Sequence, residues 1–223
     1  IPWLALVLLL TGVLWAVRTV GIDAKIAFAH RSWIGAEETD AVKEIIRKMA
    51  MKDYADVKKS LIHDDKTNSN TSFYEANNGT DIDDHGTAHL AILAPNGDAI
   101  SVTNTINDVF GAYFRSVQTG IIPNDEMDDF STPGNTPDGV HGSPNNFAIP
   151  YNNPMSSMVP TIVIDKNGDV KLIVGGAGGR RIITGTFLTL FRHLYFNESI
   201  ETAMAAPRFH HQLTPVRLDF EYN

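Results

Sequence analysis

One stretch, HGTAHLAILAPNGDAISVTNTIN from His85 to Asn107, constrains this chain more than any other. Apolar and polar residues alternate on both sides of Pro95-Asn96-Gly97, the pattern of a β-hairpin. Proline suits the first central position of a type I turn, and Gly97 can take the left-handed conformation that follows. The loop is then three residues long and closed by Ala94 and Asp98, with a glycine bulge. Counting outward from that pair sets Thr87 opposite Thr105, on a shared face. Asn107, two residues on, shares the face of Thr105. A threonine hydroxyl is a poor nucleophile without an adjacent base. If the chain were cut between Gly86 and Thr87, the freed α-amine of Thr87 would be that base. Glycine before the cut permits the strained backbone such a rearrangement needs.

The 223 residues are 43% apolar, with 17 glycines and 11 prolines, enough for one globular domain with a sizeable core. The formal net charge of −8 argues against nucleic acid or anionic lipid as a main partner. With no cysteine, disulfide frameworks and thiolate metal sites are excluded. Asn70, Asn78 and Asn197 each begin a glycosylation triplet, which permits a secreted protein without requiring one.

Residues 1–17, IPWLALVLLLTGVLWAV, are almost wholly apolar but short of the roughly 20 residues a membrane span needs. An anchor or signal remnant is one reading; a buried helix is the reading preferred. Val42, Ile45, Ile46 and Met49 predict an amphipathic helix over 39–50, with Thr39 or Asp40 as its cap. Tyr54, Val57 and Leu61 predict a second, shorter helix, with Asp53, Lys58 and Lys59 on a solvated face. From Asp64 to Asp84 periodicity vanishes and a long polar loop is expected.

Beyond the hairpin, Asp125, Glu126, Asp128 and Asp129 crowd into five residues. Read alone, they are a solvated acidic turn or an ammonium clamp; no histidine stands at metal-ligand spacing in the run. Residues 131–154 are a loop rich in proline, glycine and asparagine, and His141 within it reads as a surface histidine. Strands are expected from Met158 to Ile164 and from Val170 to Val174. Asp165-Lys-Asn-Gly-Asp169 between them starts like a calcium loop, but Val170 and Gly176 stand where glycine and the closing acid are required. It is read as a second hairpin turn. Gly175-Gly-Ala-Gly-Gly179 then opens a helix over 180–196, with Ile183, Phe187, Leu190, Phe191 and Leu194 as the expected buried stripe. Glycines at a strand-to-helix turn can aim backbone N–H groups at an anion. A dinucleotide fingerprint is excluded by Arg181, which stands at its third glycine. A short helix over 199–206 stops at Pro207, and the histidines of Arg208-Phe-His-His-Gln212 read as buried and structural.

Five blocks taken in order resemble the γ-glutamyltransferase (γ-glutamyl transpeptidase) family of N-terminal-nucleophile hydrolases. They are GTAHLAILAPNGDAISVTNTIN, NDEMDDFSTP, PMSSMVPTIV, GGAGGR and APRFHHQ; KIAFAHRSWIG adds a sixth match upstream. The resemblance implies an α/β fold, a four-layer αββα sandwich. It implies transfer of a γ-glutamyl group from glutathione or a γ-glutamyl amide to water, an amino acid or a peptide, with no metal or organic cofactor. Under it, Thr87 is the nucleophile after self-cleavage, Thr105 orients it, and the Gly178 and Gly179 amides form the oxyanion hole. Asn107, Glu126 and Asp129 hold the donor's α-ammonium, and Ser156 and Ser157 its carboxylate. Residues 1–86 correspond to the end of the large-subunit region and 87–223 to a truncated small-subunit region of one precursor. The first residue is Ile1, so a fragment or processed chain is expected. The expected location is the outer face of the plasma membrane, or secretion. Arg180-Arg181 depart from the mammalian pattern, and the family's upstream carboxylate-binding arginine lies outside this chain. An inactive or unprocessed member, and a membrane-tethered interaction domain, are the competing readings.

Overall fold

The computed structural model describes residues 21–35, 39–63, 65–77, 86–134 and 142–222. The apolar residues 1–17, residues 64 and 78–84 of the polar loop with the triplet at Asn78, and His141 lie outside the described residues. The chain divides into two compact units. The first comprises Ile1–Thr80, Ser131–Asn153 and Phe209–Glu221; the second comprises Asp81–Phe130 and Pro154–Arg208, with the last two residues.

In the first unit, helix α1 (residues 21–31) buries Ile22, Phe28 and Ala29. Helix α2 (Asp40–Met49) starts where predicted: the Thr39 hydroxyl accepts the Val42 N–H at 3.2 Å, which satisfies one of the open amides of a helix start. Of its apolar positions only Val42 is buried, and Ile46 and Met49 remain exposed. Helix α3 (Lys52–Lys59) corrects the reading of its face. Lys58 is buried rather than solvated, because its Nζ reaches the Glu75 carboxylate at 2.6 Å and lies over the Tyr54 ring; Val57 is exposed instead. A long aliphatic stem lets lysine fill an apolar gap while its charge finds a partner. The polar loop is more structured than its composition suggests. Asn70 caps a 3₁₀ turn over Thr71–Tyr74, and Tyr74 is almost fully buried. The closing strands β5 (Phe209–His210) and β6 (Asp219–Phe220) pair antiparallel, and both His210 and His211 are buried.

Among the described residues, the second unit has two hairpins and two α-helices. Strands β1 (Thr87–Leu93) and β2 (Ala99–Thr105) pair from Leu93↔Ala99 to Thr87↔Thr105, the register counted from the turn. Ala94 N–H donates to Asp98 O at 2.8 Å, and Gly97 takes φ +91°. Strands β3 (Thr161–Ile164) and β4 (Val170–Val174) form the second hairpin, with a bulge between Val163 and Ile164. Its turn is held by Asp165, whose Oδ1 accepts the N–H groups of Asn167 and Asp169 at 2.7 and 3.1 Å. Strand β4 lies against both β1 and β2, and β3 against β2. All three sheets among the described residues are two-stranded.

The β1–β2 hairpin turns its polar face inward. Thr87, His89, Ser101, Thr103 and Thr105 are half-covered, whereas Leu90, Ile92, Ile100 and Val102 are exposed. Helix α4 (Arg181–Tyr195) makes a similar correction. The buried side is Ile182, Thr184, Thr186, Leu188 and Thr189, while Phe187 and Leu194 of the expected stripe are exposed. Threonine can be buried here because its hydroxyl bonds back to the helix: Thr189 Oγ1 donates to Gly185 O at 3.0 Å and Thr184 Oγ1 to Arg181 O at 3.3 Å. The aromatic residues instead stack along the open side, Phe187 on Phe191 at 5.6 Å and Phe191 on Tyr195 at 5.1 Å. Helix α5 (Ile200–Ala205) is capped by Ser199. Among the described residues no helix is long and apolar enough to cross a membrane.

Candidate active site

Thr87 opens β1, and its Oγ1 donates to Thr105 Oγ1 at 2.9 Å. The same Thr105 oxygen accepts the Asn107 N–H at 2.9 Å. Both acceptor positions of the Thr105 hydroxyl are thus occupied, which pins its rotamer and holds the Thr87 hydroxyl in one orientation. The ladder continues one residue past Thr87. Gly86 N–H donates to Asn107 O at 2.6 Å, and Ile106 N–H to Gly86 O at 3.1 Å. The structure also assigns Gly86 a steric reason that sequence reasoning missed. A Cβ on Gly86 would sit 2.3 Å from Asp108 O and 2.8 Å from Asn107 O, so the strand end closes this tightly only with glycine there.

Asn107 takes φ +69° with 3% of its surface exposed. Asparagine tolerates that left-handed conformation better than most residues. The turn it makes carries the chain from β2 to the acidic run. Asp125 N–H donates to Ile106 O at 3.2 Å, Asp125 Oδ1 accepts the Asp108 N–H at 2.9 Å, and Asn107 Nδ2 donates to Asp125 O at 3.4 Å. Asp125 is therefore spent on joining the two segments. The next four residues, Glu126–Asp129, form one 3₁₀ turn whose Glu126 and Asp129 are half-buried and whose Asp128 is exposed. Tyr113 donates to the other side of the junction, Asp108 Oδ2, and this bond to a carboxylate raises the Tyr113 pKa.

The serine pair precedes β3. Ser156 is exposed, and its Oγ accepts the Met158 N–H at 3.1 Å, which leaves its own proton for another acceptor; Ser157 is buried. The glycine run leaves β4. Gly178 and Gly179 take φ +122° and +58°, and their carbonyls accept the first helical bonds of α4, from Arg181 at 3.2 Å and Ile182 at 3.0 Å. Among the described residues neither amide donates to another backbone group. Open N–H groups at a helix start are of the kind that can meet an anion.

The nine candidate residues all belong to the second unit. Thr87, Thr105 and Asn107 are joined by direct hydrogen bonds, and the turn bearing Glu126 and Asp129 hangs from the same strand end. Ser156, Ser157, Gly178 and Gly179 flank the second hairpin. Sequence reasoning passed over His89, which alternation alone puts on the face of Thr87. Among the described residues no three acidic or histidine side chains converge as a metal site would need.

A family model for gamma-glutamyltranspeptidase matches residues 20–223. This chain belongs to the gamma-glutamyltranspeptidase family. It is similar to glutathione hydrolase 2 of Arabidopsis thaliana, 41% identical over 201 residues, covering 88% of this chain and 34% of the relative. It is equally similar to scoloptoxin SSD14 of Scolopendra dehaani, 41% identical over 198 residues, with 88% and 34% covered. The chain thus spans about a third of the length of these two relatives. Among solved structures, a mutant gamma-glutamyltranspeptidase of Helicobacter pylori superposes with a TM-score of 0.56 at 40% identity, covering 60% of this chain and 73% of that one.

Proposed function

We propose that this chain carries the reacting part of an enzyme that moves γ-glutamyl groups from glutathione or γ-glutamyl amides to water, an amino acid or a peptide. The observation that carries the reading is the 2.9 Å bond between Thr87 Oγ1 and Thr105 Oγ1, at the strand end where Gly86 admits no side chain. Membership of the family and likeness to a glutathione hydrolase support the substrate class.

The first step is self-cleavage. Thr87 Oγ1 attacks the Gly86 carbonyl carbon, the C–N bond breaks, and an ester replaces the amide. Water then hydrolyses the ester, leaving a carboxylate on Gly86 and a free amine on Thr87. The Gly86 oxygen already accepts the Ile106 N–H, a donor for the charge that develops there. In turnover the Thr87 amine takes the proton from Oγ1, which attacks the donor's γ-carbonyl. Gly178 and Gly179 amides stabilise the tetrahedral oxyanion; one such donor is worth about 3 kcal/mol in comparable acyl transfer. The amine of the donor leaves with a proton, and water or an acceptor amine releases the γ-glutamyl group from Thr87.

The donor carries an ammonium and a carboxylate on one carbon. Glu126 and Asp129, with Asn107, suit the ammonium, which offers three donors and no acceptor. Ser156 and Ser157 suit the carboxylate. Residues 1–86 and 87–223 then belong to the large and small subunits of one precursor, and the complete protein forms the four-layer αββα sandwich. The decisive experiment is mass spectrometry and γ-glutamyl-anilide turnover of the full-length protein with and without Thr87→Ala. The wild type is expected as two chains, the second beginning at Thr87, and the variant as one uncut, inactive chain. A variant still cut at this bond would refute the mechanism.

A further inference from the structure

His89 follows Thr87 by two residues on the same face of β1 and pairs with Thr103 across the hairpin. Its Nδ1 lies 2.9 Å from Thr103 Oγ1, and its Nε2 is enclosed with no hydrogen-bond partner among the described residues. Burying a polar atom unpaired is destabilising, and a leucine would fill the same space without that penalty. The ring therefore needs a reason to be there, and Gly175 supplies one. A Cβ built on Gly175 would fall 2.3 Å from His89 Cε1, 2.4 Å from Nδ1 and 2.7 Å from Nε2. Gly175 is not among the positive-φ glycines, so its backbone does not demand glycine. The imidazole face does.

Gly175 is the first residue after β4 and lies three before Gly178. The side chain it lacks would point onto the face of the His89 ring, and a hydrogen bond to Thr103 holds that ring in place. The contact sets how closely the exit of β4 approaches the strand that begins with Thr87. An aliphatic side chain at 89 would have no such anchor, and any side chain at 175 would hold the two strands apart.

We propose that His89 is a positioning residue: through Gly175 it seats the glycine run so that the Gly178 and Gly179 amides meet the oxyanion formed on Thr87. The inference rests on the transferase reading above. It concerns the placement of donors that act in the transition state, so its signature is a fall in kcat with KM little changed; an error of about 1 Å can cost about a hundredfold in rate.

The test uses the full-length protein carrying His89→Ala, Gly175→Ala, or both. Each is assayed for kcat and KM on a γ-glutamyl anilide and for its thermal midpoint. Each single variant is expected to lower kcat by about tenfold to a hundredfold with KM within about twofold. In the double variant the methyl group added at position 175 enters the space the ring left, so kcat should recover at least about tenfold over Gly175→Ala, a non-additivity expected only of residues in contact. An unchanged kcat in folded His89→Ala would overturn the proposal, as would strictly additive losses or a rise in KM alone. If His89→Ala does not fold, Gly175→Ala still decides, since it must lower kcat with KM preserved. A wild-type protein without turnover would sink the transferase reading and the positioning role together. A wild type that turns over and is indifferent to His89 sinks only this proposal.

Discussion

Two groups of polar side chains, one buried in the first compact unit and one half-covered in the second, are put to different uses. In the first unit Lys25 is buried, and its Nζ donates to Thr67 Oγ1 at 2.8 Å and to Asn68 O at 3.1 Å beneath the Tyr74 ring. His211 Nδ1 accepts the Leu213 N–H at 2.9 Å, and His210 bonds Gln212 at 2.9 Å with its ring edge-on to Phe28. These groups are consumed in holding neighbouring chain together. On the covered face of the β1–β2 hairpin, Thr87 and Thr105 are bonded, yet His89 Nε2 and Ser101 Oγ are enclosed without a partner among the described residues. A network that satisfies itself rigidifies its surroundings; one that keeps unmet capacity needs a reason to be retained, and a site of use is one such reason. Both groups are polar and at least partly covered, and they differ in the state of their hydrogen bonds.

The sharpest way to break this contrast is Thr105→Val, which keeps the shape and removes the oxygen that pins Thr87. Turnover of γ-glutamyl anilide should fall about a hundredfold in kcat/KM if the hydroxyl network is functional. A fall of less than about twofold would put the hairpin network in the same class as that of the first unit.

Asp129→Asn probes the recognition side. Loss of one hydrogen bond to a charged group, about 1.5–3 kcal/mol, predicts a tenfold to hundredfold drop in kcat/KM. Cleavage before Thr87, followed by mass spectrometry, should remain intact. Normal turnover would remove Asp129 from the site, and loss of cleavage as well would make the acidic turn structural.

In the first unit the expected response is to pH. Burial, reinforced by Lys25 and His210, holds the His211 pKa down to about 4 from its ordinary 6.5. The unfolded chain therefore binds the proton first. Stability is full above about pH 6.5 and declines as pH falls toward about 4. His211→Gln, which keeps an acceptor for the Leu213 N–H, should flatten that part of the thermal midpoint against pH. It should leave turnover at pH 7 unchanged. A slope identical to wild type would mean His211 is not the group responsible.

The smallest effect belongs to a bond with no part in either network. Thr39→Ala removes the cap of α2 and should lower stability by about 1 kcal/mol in denaturant unfolding, without affecting kcat. A loss well beyond about 2 kcal/mol would mean that the Thr39 side chain does more than cap α2.

Where local chemistry dominates, the sequence is legible. Pro95-Asn96-Gly97 and the alternation around it suffice to set Thr87 against Thr105, because turn type and side-chain period leave only one register. The Asp165–Asp169 turn, the Thr39 cap and the stop at Pro207 are local in the same sense. The buried side of α4 is not legible in this way. Hydrophobicity is a poor guide to burial there, since Thr184 and Thr189 meet their own hydrogen-bonding needs within the helix. Lys58 escapes a sequence reading because its partner, Glu75, is 17 residues away.

The sequence by itself determined the hairpin and its register, since both follow from neighbours a few positions apart; the candidate residues outside the hairpin were named by the family resemblance and not by local pattern. Only the tertiary structure decided which face of that hairpin is covered and that Asp125 is spent as a strut. It alone decided that Gly86 and Gly175 must be glycine. These depend on what a distant part of the chain brings into contact: Asp108 O, 2.3 Å from a Cβ at the first glycine, and the His89 ring, 2.3 Å from a Cβ at the second. Alternation gives two equivalent faces, and a choice between them is made by packing.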